Sequence, residues 1–282
     1  MRSGSTWSQQ AYLKASNTST GDYFGTSVAV AGDTVVVGAS GEGSSTTGVN
    51  SLPNELAGDS GAAYVFIRSG SSWSQQAYFK ASNTSARDQF GISVAVAGDT
   101  VVVGALGESS STAGVNSVPN QASASSGAAY VFVRSGSSWS QQAYLKASNT
   151  GVFDQFGSSV AVSGSTVISG SHQEDSTITG SNSVPDEAAS DSGAAYIFTL
   201  PVAEPPPAVV KYLVKVKVSN TKFGKVTGSG SFNTGSKVVL RATAKKGHRF
   251  LGWFEKKKLV SKNRLLVLKK LTKNRSLAAK FK

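Results

Sequence analysis

Asp22-Tyr23-Phe24-Gly25-Thr26-Ser27-Val28-Ala29-Val30-Ala31-Gly32-Asp33-Thr34-Val35-Val36-Val37-Gly38 decides the fold, because the chain carries this phrase three times. The second copy begins at Asp88 with Phe90-Gly91 and closes at Gly104. The third begins at Asp154 with Phe156-Gly157 and closes at Gly170. Both offsets are 66 residues, and the flanks keep the same period: Trp7, Trp73 and Trp139; Tyr12, Tyr78 and Tyr144; Tyr64, Tyr130 and Tyr196. A fixed period of this size marks a repeat architecture.

Within one copy, Val28 and Val30 alternate with Ser27, Ala29 and Ala31, the period-two pattern of a half-buried strand. Gly32-Asp33 suits a two-residue hairpin turn, since Gly tolerates positive φ at the first loop position. Thr34 to Val37 is β-branched throughout and reads as a more buried strand. A loop rich in Ser, Gly and Asn follows. Ala62 to Ile67 predicts a third strand, Ser69-Gly70-Ser71 a turn, and Trp73 to Ala81 a fourth strand. Each unit is expected to be a four-stranded antiparallel meander, and such units in series are the mark of propeller blades.

Phe-Gly followed by Gly-Ala, as in Phe24-Gly25…Gly38-Ala39 and Phe90-Gly91…Gly104-Ala105, resembles the FG-GAP repeat of integrin-α-like β-propellers. Ser60-Gly61-Ala62-Ala63-Tyr64-Val65-Phe66 and Trp73-Ser74-Gln75-Gln76-Ala77-Tyr78 are similar to the bacterial version. The resemblance covers residues 1–199 and implies an all-β fold, a partial propeller of three four-stranded antiparallel blades. Integrin blades often carry an Asp-x-Asp-x-Asp-Gly calcium loop. No such run occurs here, so calcium binding is not carried over.

The 282 residues suffice for two domains. Cysteine is absent, which excludes disulfides and thiolate metal sites. No apolar run approaches the roughly 20 residues of a membrane-spanning helix, and Met1 to Trp7 lacks the apolar core of a signal peptide. Arg2-Ser3-Gly4-Ser5-Thr6-Trp7 aligns with Arg68 to Trp73, so the chain starts inside a blade hairpin. A truncated N-terminus is the expectation. The alternative is a circular offset in which Trp7 to Ala15 completes the last blade. Three blades are too few to close a propeller of about four to eight, so a homodimer sharing six blades and a fragment of a longer chain both stay open.

Charge is divided unevenly. Residues 1–208 hold 7 Lys and Arg against 15 Asp and Glu, whereas residues 209–282 hold 21 against Glu255 alone. The two halves are expected to present surfaces with different partners. The long loops of the repeats, 41–60, 107–126 and 173–192, each hold Gly-x-Asn-Ser-x-Pro. They carry Glu42, Glu55 and Asp59; Glu108; and Glu174, Asp175, Asp186, Glu187 and Asp191. Hard cations such as Ca2+ prefer oxygen ligands, yet the spacing matches no known cation loop, and solvated acids are the expectation. Asp22, Asp88 and Asp154 read as turn residues whose carboxylates accept backbone N–H groups. The repeating Trp and Tyr sets could line a sugar-binding face; packing between blades is the expectation.

Residues 200–210 read as a Pro-rich linker, with Pro205-Pro206-Pro207 stiffening it. Beyond it, residues 211–282 predict a small β domain. Tyr212, Val214, Val216 and Val218 alternate with Lys211, Lys215 and Lys217, a strand with one wet face. The Gly224 to Gly235 run, Gly247-His248-Arg249-Phe250-Leu251-Gly252-Trp253 and the closing Ala279-Lys280-Phe281 resemble the divergent internalin-B-type B-repeat of bacterial surface proteins. That resemblance implies a β-grasp-like module, in which His248 replaces a common Tyr as a packing residue.

Lys256, Lys257, Lys258, Lys262, Arg264, Lys269, Lys270, Lys273 and Arg275 form the candidate polyanion-binding cluster. A net +20 over about 74 residues exceeds what solubility needs and should attract acidic polymers. Nucleic acid is disfavoured for want of stacking aromatics beside the basic groups. Catalysis has little to work with. A Ser-His-Asp site would need His172 or His248, and neither has a nucleophile motif nearby. The expectation is a non-catalytic secreted or cell-surface binding protein whose partners are an acidic glycan, an envelope polymer or a surface protein. The alternatives are a purely structural repeat array and a propeller glycoside hydrolase.

Overall fold

The computed structural model describes residues 2–3, 6–200 and 211–282. The expected linker therefore lies, apart from Leu200, outside the described residues. The chain divides into two compact units, residues 1–201 and 202–282. No helix occurs among the described residues.

In the first unit, β1 (Arg2–Ser3) and β2 (Thr6–Trp7) make a short antiparallel pair. The first blade is β3 (Phe24–Ala31), β4 (Thr34–Ala39), β5 (Ala62–Ser69) and β6 (Ser72–Phe79), antiparallel in that order. The second is β7 (Phe90–Ala97), β8 (Thr100–Ala105), β9 (Ala128–Ser135) and β10 (Ser138–Leu145). The third differs from the expected four strands. It holds β11 (Ser159–Ser163), β12 (Thr166–Ser171) and β13 (Ala194–Thr199), and β13 is left as an open edge among the described residues. Where the other copies turn through Ser-Gly-Ser into a Trp-Ser-Gln-Gln strand, this one runs into Leu200-Pro201 and a Pro-rich stretch. Proline cannot donate to a ladder.

The repeated phrase explains how blades join. β7 lies against β3 and β4, and β11 against β7 and β8. Val94 and Val96 pack into the cluster that holds Val36 and Val65; Val160 and Val162 do the same with Val102 and Val131. At the middle of each seam the Phe-Gly glycine of one copy meets the Gly-Ala glycine of the copy before it. The Ser27 hydroxyl donates to the Gly91 carbonyl at 2.8 Å, and Ser93 to the Gly157 carbonyl at 2.7 Å. A Cβ on Gly38 would strike the Gly91 carbonyl oxygen, and one on Gly104 that of Gly157. The two short motifs are thus two halves of one joint, and glycine is required because backbone seats on backbone.

Aromatic rings fill the blades and their seams. Phe90 stands edge-on to Tyr130 at 5.3 Å within the second blade. Phe79 of the first blade stacks on Phe132 of the second at 4.3 Å, and Trp139 covers it. The expected packing between blades therefore holds for Trp139, whose indole N–H donates to Gln76 at 2.8 Å.

In the second unit, one sheet runs β16-β14-β21-β18-β19 and the other β15-β17-β20. The strands are β14 (Lys211–Val218), β15 (Gly224–Thr227), β16 (Gly230–Asn233), β17 (Val238–Ala244), β18 (Phe250–Glu255), β19 (Lys258–Ser261), β20 (Leu265–Leu268) and β21 (Arg275–Phe281). β14 and β21, the first and last, pair in parallel at the centre of the larger sheet. Val214, Trp253, Leu277 and Ala279 of that sheet share one core with Val238, Leu240, Ala242 and Leu266 of the other. His248 stacks on Phe223 at 4.1 Å, which matches its reading as a packing residue.

Candidate functional site

The alternation of β14 sends Val214 inward and leaves Lys211, Lys215 and Lys217 exposed. Successive residues on one face of a strand stand about 6–7 Å apart, so these lysines form a row. The parallel register sets Ser276 beside Lys215 and Ala278 beside Lys217. Lys280 follows on β21, its ammonium 4.4 Å from the Phe254 ring centroid. These strand-borne lysines were not among the sequence candidates. The signal for them is the alternation of Lys211, Lys215 and Lys217 with apolar residues along one strand.

The candidates themselves separate into groups. Lys256 and Lys257 form the β18–β19 turn, both at positive φ (46° and 64°), with Lys258 opening β19. Lys269, Lys270 and Lys273 lie between β20 and β21, while Lys262 and Arg264 lie between β19 and β20. All eight are exposed and none forms an ion pair among the described residues. Arg275 is different. It grips Glu255 through two bonds of 2.6 and 2.7 Å. Glu255 is the one acidic side chain of residues 209–282, so this clamp leaves the other twenty Lys and Arg of that segment without one.

In the first unit Glu55, Asp59, Glu187 and Asp191 are exposed as expected, and three of the loop acids depart from expectation. Glu42 and Glu108 are wholly buried rather than solvated, and Glu174 is nearly so. Lys80, just past β6, reaches Glu42 at 2.8 Å and also donates to Ser60 and the Gly61 carbonyl. Tyr78 donates to the same carboxylate at 2.8 Å, and Asn17 at 3.0 Å. The second blade repeats the cluster with Lys146, Tyr144, Asn83 and Ser126 around Glu108. Burial pulls the Lys80 and Lys146 ammonium pKa values down, and the facing carboxylates work against that. Burial and the same carboxylates push the Tyr78 and Tyr144 hydroxyls up. Removing one partner of such a pair would leave a buried charge uncompensated.

The Gly-x-Asn-Ser-x-Pro loops clamp the fourth strands. Asn50, at φ 54°, donates its N–H to the Tyr78 carbonyl, and its side-chain oxygen accepts the Tyr78 N–H. Asn116 does the same with Tyr144. Asp22, Asp88 and Asp154 accept the N–H groups of Ser19, Ser85 and Gly151, which is the turn role their position implied. Burial raises Asp88 to about 7 and Asp154 to about 6, against the lowering by those N–H groups. Among the described residues no three His, Asp or Glu side chains converge as a metal cage.

The profile of the FG-GAP repeat matches residues 7–66, 73–132 and 139–198, most of the chain. The chain belongs to the FG-GAP repeat family. A second profile, the divergent InlB B-repeat domain, matches residues 214–282. The comparison with curated proteins found no match. In this FG-GAP protein His172 is exposed on the repeat unit, whereas His248 belongs to the other unit and is stacked on Phe223. FG-GAP and B-repeat domains are typical of extracellular or surface proteins and suit surface or adhesion roles. No helix among the described residues is long and apolar enough to cross a membrane.

Proposed function

We propose that the chain is a non-catalytic surface adhesin. Its B-repeat unit would hold an anionic polymer, an acidic glycan or a cell-envelope polymer, and its propeller loops would supply recognition. One observation carries this reading: twenty cationic residues of 209–282 have no acid to neutralise them, because Glu255 is bound to Arg275. Lys211, Lys215 and Lys217 on one face of β14 and Lys280 on the neighbouring β21 spread positive charge along the sheet, which suits an extended anionic chain. The attraction is between exposed charges, so salt should weaken it.

The test is chromatography of the full chain on sulfated dextran, with uncharged dextran as control. Retention at low ionic strength and release as salt rises are expected, with Lys215→Glu/Lys217→Glu eluting at clearly lower salt. Passage at low salt would overturn the reading. Stronger retention on duplex DNA than on sulfated dextran would move it to nucleic acid.

A further inference from the structure

The three blades leave two unmatched faces, and the chain's own repeat shows what each would fit. On the first blade, Val28 and Val30 are 68% and 69% exposed, although their equivalents Val94 and Val96 are packed into a seam. Gly25 has nothing within reach of a Cβ, whereas Gly91 and Gly157 seat on the blade before them. On the third blade, Ile168 and Ile197 are 38% and 70% exposed, although their equivalents Val36 and Val65, or Val102 and Val131, are buried. Gly170 meets no carbonyl of a following copy. Each end therefore carries one half of the same joint.

The strand inventory agrees. Trp7 to Thr18 is identical in sequence to Trp139 to Thr150, which makes the fourth strand of the second blade and its continuation. Yet Trp7 and Tyr12 stand exposed and Lys14 lies at the surface. Along the open edge of β13 runs a cleft of about 940 Å³, lined by Glu174, Ser192, Tyr196 and Phe198 among others. Glu174 there has Asn149 and the Ser176 N–H, as its counterparts have, but no lysine and no tyrosine. A nearly buried carboxylate lacks its cation at one end, and a lysine lacks its carboxylate at the other. The chain cannot join its own ends here: residues 10–17 are held on the first blade by Gln10–Trp73, Ser16–Gln75 and Asn17–Glu42 bonds.

We propose that a second copy of this chain lays its residues 8–15 along β13 and completes the third blade. The repeat register places Tyr12 of the second copy opposite Tyr196, as Tyr144 lies opposite Tyr130, and Ala11 opposite Ile197, as Ala143 lies opposite Val131. Lys14 then enters the Glu174 site, Asn182 clamps Tyr12, and Ser159 donates to the Gly25 carbonyl. The contact is reciprocal, so two copies satisfy both ends at once. Two copies make six blades, inside the range of about four to eight in which propellers close; three copies would overshoot it.

The experiment uses the full chain. Light scattering should give twice 29.0 kDa. Glu174→Ala or Lys14→Met should weaken the dimer by roughly a hundredfold or more, since either leaves a buried charge without its partner. The chain has no cysteine, so Ala11→Cys with Ile197→Cys gives a clean readout: a disulfide-linked species of dimer mass on a non-reducing gel. A monomer at every concentration, a cross-link within one chain, or a ladder of higher multiples would each overturn the proposal. So would a dimer that forms equally well in both charge variants. Near-ultraviolet circular dichroism of the variants checks that the blades still pack; loss of that signal along with the dimer would count against a role confined to the interface.

Discussion

The second and third blades are written with almost the same phrase and end in different physical states. Tyr130 is wholly buried, and Tyr196, 66 residues on, is half-exposed although its hydroxyl makes the same bond to an asparagine. Glu108 is sealed with Lys146, Tyr144 and Asn83; Glu174 keeps the asparagine and the Ser176 N–H but has neither lysine nor tyrosine. The difference is that, among the described residues, the third blade has no fourth strand and no following blade. Burial, and with it the cost of any mutation, belongs to the seam between copies rather than to the residues of one copy.

The largest test of that contrast is the buried ion pair. Lys146→Met leaves the Glu108 carboxylate enclosed without a cation, which should cost about 3–5 kcal/mol in urea unfolding. Glu174→Gln should change the stability of the single chain by less than about 1 kcal/mol, its effect falling on assembly. Equal losses at both sites would break the comparison. Next comes the joint. Gly104→Ala forces a methyl onto the Gly157 carbonyl and should cost about 1–3 kcal/mol. Gly170→Ala meets only the Ser159 hydroxyl, which is exposed and can turn aside, and should stay within about 0.5 kcal/mol for the single chain.

The third test is pH. Asp88 has its folded pKa raised from 3.8 to about 7 by burial. The folded state therefore holds a proton that the unfolded state releases between those values. This contribution is fully present below about pH 4 and is lost as pH rises through 7. The unfolding midpoint should fall between pH 5 and pH 8, by a margin on the order of 1–2 kcal/mol. Asp88→Asn should flatten that fall, because an amide keeps the acceptor for the Ser85 N–H without the charge. An unchanged slope would show that Asp88 does not set it. The smallest test is hydroxyl deletion. Tyr130→Phe removes the donor to the Asn83 side-chain oxygen and should cost about 1 kcal/mol. Tyr196→Phe, beside an open cleft where water can replace the bond, should cost measurably less.

Much of this was legible beforehand for a simple reason. Strands and turns are local, so Val28/Val30 alternation, Gly32-Asp33 and the β-branched Thr34 to Val37 run announced β3, the turn and β4 directly. The buried clusters were not local: Lys80 and Glu42 are 38 residues apart, and each alone looks like an ordinary surface charge. The signal that could have joined them was the period, since Lys14, Lys80 and Lys146 repeat with it, as do Glu42, Glu108 and Glu174. A charge kept at one register position while its loop neighbours vary is a charge with a fixed partner. In the B-repeat unit the Lys runs look like one cluster in sequence, but strand order sends them to separate connections and binds Arg275 to Glu255.

By itself the sequence determined the repeat, the strand pattern of the first two blades, the acidic and basic halves and both family resemblances, because periodicity and composition act over a few residues at a time. Only the tertiary structure decided that the glycines of Phe-Gly and Gly-Ala form one joint and that three of the loop acids are enclosed. It also left matching faces open at the two ends of the blade series. Those outcomes depend on which surfaces meet in space, and side chains set 38 or 64 residues apart come together only when whole sheets stack.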